Sequence, residues 1–432
     1  MTESLSIVIF LATLFALLGF GVWVGAALLI TAIMGMWLFT SAPIGDSMAI
    51  TIWSGQSSWT LTALPLFIWM GEILFRTKLS ETLFRGLAPF LRNLPGGLLH
   101  VNVGASAVFA AISGSSAATV ATVGKMSIPE LRQRNYPEHM IIGTLSGAGT
   151  LGLLIPPSIS MIIFGVTVNE SITKLFMAAM IPGLCLALLF MAYIAVWAKI
   201  NRGSFNPVQD LDTFHLARRL LDLLPVLVLI AAVIGSIYSG IATATEAAAL
   251  GVLGSLILSA LQRSLSWETF SESVLGSIRT TSMIMLILMG AGFLSLAMGF
   301  TGIPRALAEG IGSLHLSPIA LIAILTIFYI VLGCFLDGLS SIVLTMAVIE
   351  PMVRAAGFDM LWFGVYLMIV VEMAQITPPI GFNLFVLQGM TGRDMAFISK
   401  ASFPMFLVMC VFVAILVAFP GLATWLPHIL SK

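Results

Sequence analysis

The sequence predicts an all-α polytopic membrane protein: two inverted repeats, each with a re-entrant helical hairpin and a broken helix. Three observations predict it. The chain of 432 residues is 59% hydrophobic and only 9% charged, with a mean hydropathy of +1.08, too apolar for a soluble domain. Pro129, Pro157 and Pro182 recur 222 residues later as Pro351, Pro379 and Pro404; Arg132 recurs as Arg354, and each middle proline belongs to a pair, Pro156-Pro157 and Pro378-Pro379. Ahead of each set stands a small polar cluster, Ser113-Gly114-Ser115-Ser116 in one half and Asp337-Gly338-Leu339-Ser340-Ser341 in the other. Pro-Pro pairs and Gly-Ser clusters interrupt helices. Inside a bilayer such interruptions persist only where protein or water satisfies the freed backbone groups.

Taken in order, the first apolar run, Ile7–Phe39, reads as one long tilted helix or as two short ones divided at Gly19-Phe20-Gly21. Inverted symmetry favours two, because three helices precede the second hairpin. Leu61–Phe75 leads to a first hairpin near 98–131, and Ala178–Val196 closes the first half. The polar stretch Lys199–Asp222 is too short to hold a core of its own and long enough to join two halves. The first repeat is therefore 1–200, the linker 201–222 and the second repeat 223–432. Leu223–Ile237, Ala247–Leu261 and Met283–Met298 precede a second hairpin near 317–355, whose first limb is the run Ile319–Phe335; Phe403–Phe419 ends the series. A spanning helix needs about 20 mostly apolar residues, and about a dozen segments serve, some of them short and broken. The start Met1-Thr2-Glu3 lacks a basic region and a small-residue cleavage site, so the first hydrophobic stretch is expected to be retained. Cys185, Cys334 and Cys410 lie far apart inside apolar runs and read as small core residues, neither a metal set nor a disulfide framework.

Basic residues orient the halves. Arg76, Lys78, Arg85, Arg92, Lys125, Arg132 and Arg134 flank the first polar cluster on both sides, whereas only Arg305 and Arg354 flank the second. The first hairpin thus enters and leaves from the cytoplasm, and the second from the outer face. Lys199, Arg202, Arg218 and Arg219 place the linker in the cytoplasm, and Arg393 and Lys400 mark another cytoplasmic connection. One cluster of small residues could simply let two helices pack closely. Two clusters, each ahead of a Pro-Pro break, point instead to a transporter built of repeats.

A helix that stops inside the membrane exposes carbonyls at one end and amides at the other; the first suits a cation and the second an anion. Ser115 or Ser116 is placed to cap the second limb of the first hairpin, facing a break expected from Gly147-Ala148-Gly149-Thr150 through Pro156-Pro157. Hydroxyls and carbonyls without a carboxylate cluster suit a weakly held monovalent ion such as sodium better than calcium or zinc. In the second half Asp337 stands near the hairpin tip with Gly338, Ser340 and Ser341, facing Gln375-Ile376-Thr377-Pro378-Pro379 and then Gly381 and Asn383. An ionisable residue at membrane depth is a functional candidate; Asp337 either binds sodium, carries a proton or caps the next helix, roles that are compatible. Thr243 or Thr245 caps a helix with Glu246 in its first turn. Glu72 and Arg76 have the spacing of a helical ion pair. Glu372 lies just before the second break and is assigned no role. The five histidines are scattered and are assigned no ligand role. The nine tryptophans read as interfacial anchors.

Equal numbers of acidic and basic residues, 19 each, give no electrostatic footprint for nucleic acid. No P-loop is present, since Gly124-Lys125-Met126-Ser127 lacks the spacing, and there is no His-Glu-x-x-His or Gly-x-Ser-x-Gly. No serine has a histidine placed to serve it, which argues against an intramembrane enzyme. No symmetric ring of like charges argues for a channel. No cofactor is expected beyond coupling ions, and energy must come from an ion gradient or from another chain.

Five runs together carry a family likeness: SGSSAATVATVG from Ser113 to Gly124, GLLIPPS from Gly152 to Ser158, ATEAAALG from Ala244 to Gly251, FLDG from Phe335 to Gly338 and ITPPIGFNLF from Ile376 to Phe385. With these the chain resembles the large membrane subunit of tripartite ATP-independent periplasmic (TRAP) transporters. One departure is Ala244, where the family usually has proline. The resemblance implies a sodium-driven elevator of the bacterial inner membrane, with a transport domain that slides against a scaffold. It implies two partners, a small four-helix membrane subunit and a soluble periplasmic substrate-binding protein. It also implies an organic-acid cargo such as a C4-dicarboxylate or sialic acid. Mapped onto this chain, a first sodium site falls at Ser113, Ser115, Ser116, Gly149, Thr150 and Pro156, and a second at Asp337, Gly338, Ser340, Thr377 and Pro378. The substrate falls between the hairpin tips, near Ser116, Ser158, Ser341 and Asn383. A self-sufficient carboxylate or ion transporter of related fold is the alternative.

Overall fold

The computed structural model describes residues 2–77, 86–201, 216–302, 317–334, 336–379 and 381–430. Lys78, Arg85, Arg202, Arg305, Phe335, His215, His315, most of the linker and the side chains of Arg218 and Arg219 lie outside the described residues. Those described are helical and loop, with no strand. Ile7–Phe39 resolves into two helices, α1 (Thr2–Gly19) and α2 (Val24–Phe39), separated by a turn in which Gly21 has φ +77°. Next come α3 (Ile44–Gln56), a 3-10 turn at Trp59–Thr62 and α4 (Ala63–Arg76), and the line bends by 57° at this break. Helix α3 was not evident in the sequence: it carries Asp46 and buries none of its residues, so no apolar stripe betrays it.

The first hairpin is α5 (Leu99–Ser113) and α6 (Ser116–Gln133). After it run α7 (Glu138–Gly149), a single turn α8 (Leu151–Leu154) and, past Pro156-Pro157, α9 (Ile159–Thr167). The long α10 (Ile172–Ile200) follows, with Pro182 inside it. Beyond the linker come α11 (Leu216–Tyr238), α12 (Ala244–Leu261) and α13 (Trp267–Thr301). The second hairpin is α14 (Pro318–Gly333) and α15 (Gly338–Ala355). Then α16 (Met360–Gln375) stops at the second Pro-Pro pair, and α17 (Phe382–Thr391), α18 (Met395–Ala418) and α19 (Gly421–Leu430) complete the chain.

The proline offset is thus an offset of whole elements. Helix α6 starts at 116 and α15 at 338; α7 starts at 138 and α16 at 360; α10 and α18 begin at 172 and 395. Both Pro-Pro bonds are cis. One pair of counterparts differs. The 35-residue α13 is continuous, whereas the matching α3 and α4 are separated at Ser57-Ser58.

Five described helices are long and apolar enough to span a bilayer, and two bent pairs raise the number to seven; shorter apolar helices, among them both first limbs of the hairpins, make up the rest of the expected segments. Bulky apolar side chains face outward along them, including Leu184, Leu188, Leu253 and Phe403, as they must where the solvent is lipid. Trp23, Trp37, Trp53, Trp59 and Trp267 are also exposed, as anchors should be. Trp362 is a core residue instead, its indole donating to Leu416 O at 3.1 Å.

Two packed groups emerge. In one, α13 packs along α2, α3 and α4, and α12 packs on α4 and α11. In the other the hairpins and broken helices interleave: α6 packs on α17 from the opposite half, and α15 packs on α9 from the opposite half.

Candidate functional site

The first hairpin turns at Gly114, whose φ of +56° favours glycine; a Cβ there would stand 3.1 Å from Pro157 O and from Ile159 N. The hairpin tip therefore lies directly against the first Pro-Pro break. Ser115 is the N-cap of α6, its hydroxyl accepting from Ala118 N. The Ser113 hydroxyl lies 3.3 Å from Ser115 O and 3.0 Å from Thr119 Oγ1, and Thr119 donates to Ser115 O at 2.7 Å. Gly152 closes the other side: a Cβ on it would meet Ser116 Cα at 2.6 Å and Ser115 C and O at 2.7 Å. The sequence residues Ser113, Ser115, Ser116, Gly149, Thr150 and Pro156 thus belong to one neighbourhood.

The first break opens at the end of the expected Gly147-Ala148-Gly149-Thr150 stretch, where α7 gives way to Thr150 and the single turn α8. Helix α7 runs through Gly149, and the extended stretch is Ile155–Ser158. The glycines there serve packing: a Cβ at Gly147 would meet Met405 at 2.8 Å, and one at Gly149 would meet Val120 Cγ2 at 2.1 Å. Thr150 turns its hydroxyl back to Gly147 O at 2.6 Å, a bond that keeps the helical course.

At the second tip Asp337 is the N-cap of α15, its Oδ2 accepting from Leu339 N at 3.1 Å and Ser340 N at 3.2 Å. Cys334, read from sequence as core, points its thiol at Pro378 O, 3.3 Å away, and Gln375 Nε2 donates to Leu336 O at 3.3 Å. Thr377 returns its hydroxyl to Met373 O at 2.7 Å. Hairpin and break are again in contact, bringing Asp337, Gly338, Ser340, Thr377 and Pro378 into one region.

The halves meet through Ser116 and Asn383. The Ser116 hydroxyl donates to Asn383 Oδ1 at 2.9 Å, and Asn383 Nδ2 donates to Ser116 Oγ at 2.7 Å; both residues are buried. Leu153 from the first break touches the position a Cβ would take on Gly338. Ser158 and Ser341 are fully buried and donate to Leu153 O at 2.6 Å and Asp337 O at 2.9 Å, so in this conformation both lock backbone. Glu372, which the sequence left without a role, is fully buried beside Ser116.

Two arginines, offset by 222 residues, cross between the halves. Arg132 at the end of α6 pairs with Glu138 and donates to Thr391 O, the last residue of α17, at 3.3 Å. Arg354 at the end of α15 donates to Val168 O, the C-cap of α9, at 3.0 Å, and bonds Glu350 and Glu170 at 3.0 and 3.4 Å. The sequence showed the pair of arginines but not that each reaches the other half.

The donors at both tips are hydroxyls, backbone carbonyls and one carboxylate. Among the described residues no cluster of three His, Cys, Asp or Glu forms a metal centre. Such hard oxygens at a pair of helix interruptions fit a monovalent ion of the sodium kind and fit zinc or copper poorly. Glu246 is as expected, in a capping box with Thr243. Arg76 bonds Glu72 at 3.0 Å and also Glu272 at 2.5 Å. The cysteines are free thiols.

A multi-pass helical membrane protein with two broken hairpins closing on two broken helices is a membrane transporter in class. The profile of the family described as tripartite ATP-independent periplasmic transporter, DctM component, matches residues 11–422, and the chain belongs to that family. It is 32% identical over 395 residues to the isethionate TRAP transporter permease protein DctMQ of Oleidesulfovibrio alaskensis, covering 90% of this chain and 60% of that protein, so this chain spans less than two thirds of that relative. It is 31% identical to the C4-dicarboxylate TRAP transporter large permease protein DctM of Pseudomonas aeruginosa, covering 88% of this chain and 89% of the relative. Its fold is similar to that of the Alcanivorax borkumensis YdaH transporter, with a TM-score of 0.65 at 12% identity, covering 92% of this chain and 97% of the other. The chain is a transporter component of a bacterial membrane and not an enzyme.

Proposed function

We propose that this chain is the sodium-coupled permease of a TRAP system in the bacterial inner membrane, importing a small organic anion. The anion is handed over by a periplasmic substrate-binding protein, and a small four-helix membrane subunit completes the assembly. A C4-dicarboxylate or sialic acid is the cargo this reading favours; relatives named for isethionate and for C4-dicarboxylate keep the class to small organic anions. The two halves are inverted, with the first hairpin opening to the cytoplasm and the second to the outside.

The observation that carries this reading is the Ser116–Asn383 bond, which joins the start of one interrupted helix in each half. Half-helix N-termini directed at one region suit a carboxylate or sulfonate, and the neighbouring carbonyls and hydroxyls suit sodium. Hairpins and broken helices move as one body because Arg132 and Arg354 tie each to the other half. The group α2, α3, α4, α12 and α13 serves as the scaffold of an elevator.

The test is uptake of labelled organic acid by proteoliposomes holding the chain and both partners. Uptake is expected to need an inward sodium gradient. Uptake undiminished when potassium replaces sodium on both sides refutes the coupling, and full uptake by the chain alone refutes the tripartite reading.

A further inference from the structure

Glu372 is the one described carboxyl that is fully buried, and neither of its oxygens has a hydrogen-bond partner. It stands on α16, three residues before the helix ends at Gln375, in the stretch that leads into the second break. The Ser116 hydroxyl stands beside it, and the same hydroxyl is bonded to the Asn383 amide. Among the described residues no charged side chain acts on it. A buried carboxylate without a donor or a cation is costly, and an acid kept at membrane depth marks an ion path. The polar group beside it is Ser116 Oγ, which is itself bonded to Asn383 of the other half. Three interrupted elements, α6, α16 and α17, supply these groups.

We propose that Glu372 is the anionic ligand of a further monovalent-cation position, completed by Ser116 and Asn383 and taking sodium. It rests on the sodium-coupled reading and adds a position between the two tip sites. A sodium ion there supplies the positive charge the carboxylate lacks, and hard neutral oxygens complete its shell. Because Ser116 and Asn383 come from opposite halves, filling the position clamps the halves together. The ion therefore makes the paired state of the transport body conditional on sodium.

The experiment is equilibrium binding of radioactive sodium to the purified full chain in detergent, for wild type and Glu372→Gln, with thermal unfolding in sodium and in potassium. The variant is expected to bind one ion fewer and to lose part of the sodium-dependent rise in unfolding temperature, while its stability in potassium is not lowered. Equal stoichiometry and affinity in the two proteins overturn the inference and leave the tip sites intact. Absence of sodium binding by the wild type overturns both the inference and the coupled reading. Should Glu372→Gln not fold, Asn383→Ala, which belongs to neither tip site, gives the same reading: one sodium ion fewer is expected, and unchanged binding overturns it.

Discussion

Gly152 offers the most direct test of how tightly the first hairpin tip closes on the first break. An alanine there places a methyl 2.6 Å from Ser116 Cα and 2.7 Å from Ser115 C and O. These are backbone atoms, which cannot rotate away as a side chain would. Overpacking of this kind costs about 1–3 kcal/mol. Helix propensity returns only about 1 kcal/mol of that. If about 2 kcal/mol falls on the state in which tip and break are closed, sodium affinity weakens about thirtyfold, since each 1.4 kcal/mol is tenfold. Gly389 is the control: it lies within a helix of the same body, and nothing lies within 4 Å of its added Cβ. Gly389→Ala is expected to leave sodium affinity unchanged and to raise the unfolding temperature slightly. The assay is sodium-dependent thermal unfolding in detergent, followed by uptake at graded sodium. Equal sodium affinity in Gly152→Ala and Gly389→Ala would refute the closed arrangement of tip and break.

Asp337→Asn separates capping from ion binding, because asparagine caps as well as aspartate; stability in potassium should hold while sodium dependence weakens, and an unchanged sodium titration removes Asp337 from the site. Thr243→Ala removes one half of the α12 capping box and should cost about 1 kcal/mol in unfolding free energy with transport per folded molecule unaltered. Arg132→Ala and Arg354→Ala, both partly exposed, should each cost about 1 kcal/mol or less. They share no partner, so the losses should add; a strongly non-additive double variant, measured by thermal unfolding, contradicts two separate clamps.

Much of the fold was legible because interruptions leave strong signals. Gly114, the serine run and Pro156-Pro157 mark backbone that a helix cannot accommodate, and the 222-residue recurrence shows that the mark is duplicated. The caps at Ser115 and Asp337 follow from short polar side chains ahead of helix starts. What escaped has a common cause. That Gly147 and Gly149 stay helical while the chain leaves α7 only at Thr150 was not legible, because these glycines read equally well as breakers or as close-packing positions, and only the neighbours Met405 and Val120 decide. Cys334 is buried, as its core reading has it, but that its thiol also reaches the second break was not legible. The burial of the Glu372 carboxyl beside Ser116 depends on how α6 packs near α16, which is a fact of three dimensions.

The crossed arginines explain why the duplication is of use to the molecule. A half-helix ending at Val168 or Thr391 leaves carbonyls that no further turn satisfies. A cation at a helix C-terminus meets that need and also suits the helix dipole. An arginine from the same half would satisfy the carbonyl equally well but would leave the two breaks independent. Here Arg354 serves the first half's α9 and Arg132 serves the second half's α17. Each break is therefore held in register with the opposite hairpin, and Ser116 meets Asn383 between them. Duplication supplies the two identical needs, and exchange of arginines links each break to the opposite hairpin. A shift of either hairpin is then passed to the break of the opposite half, which is what the proposed coupling of ions and cargo requires.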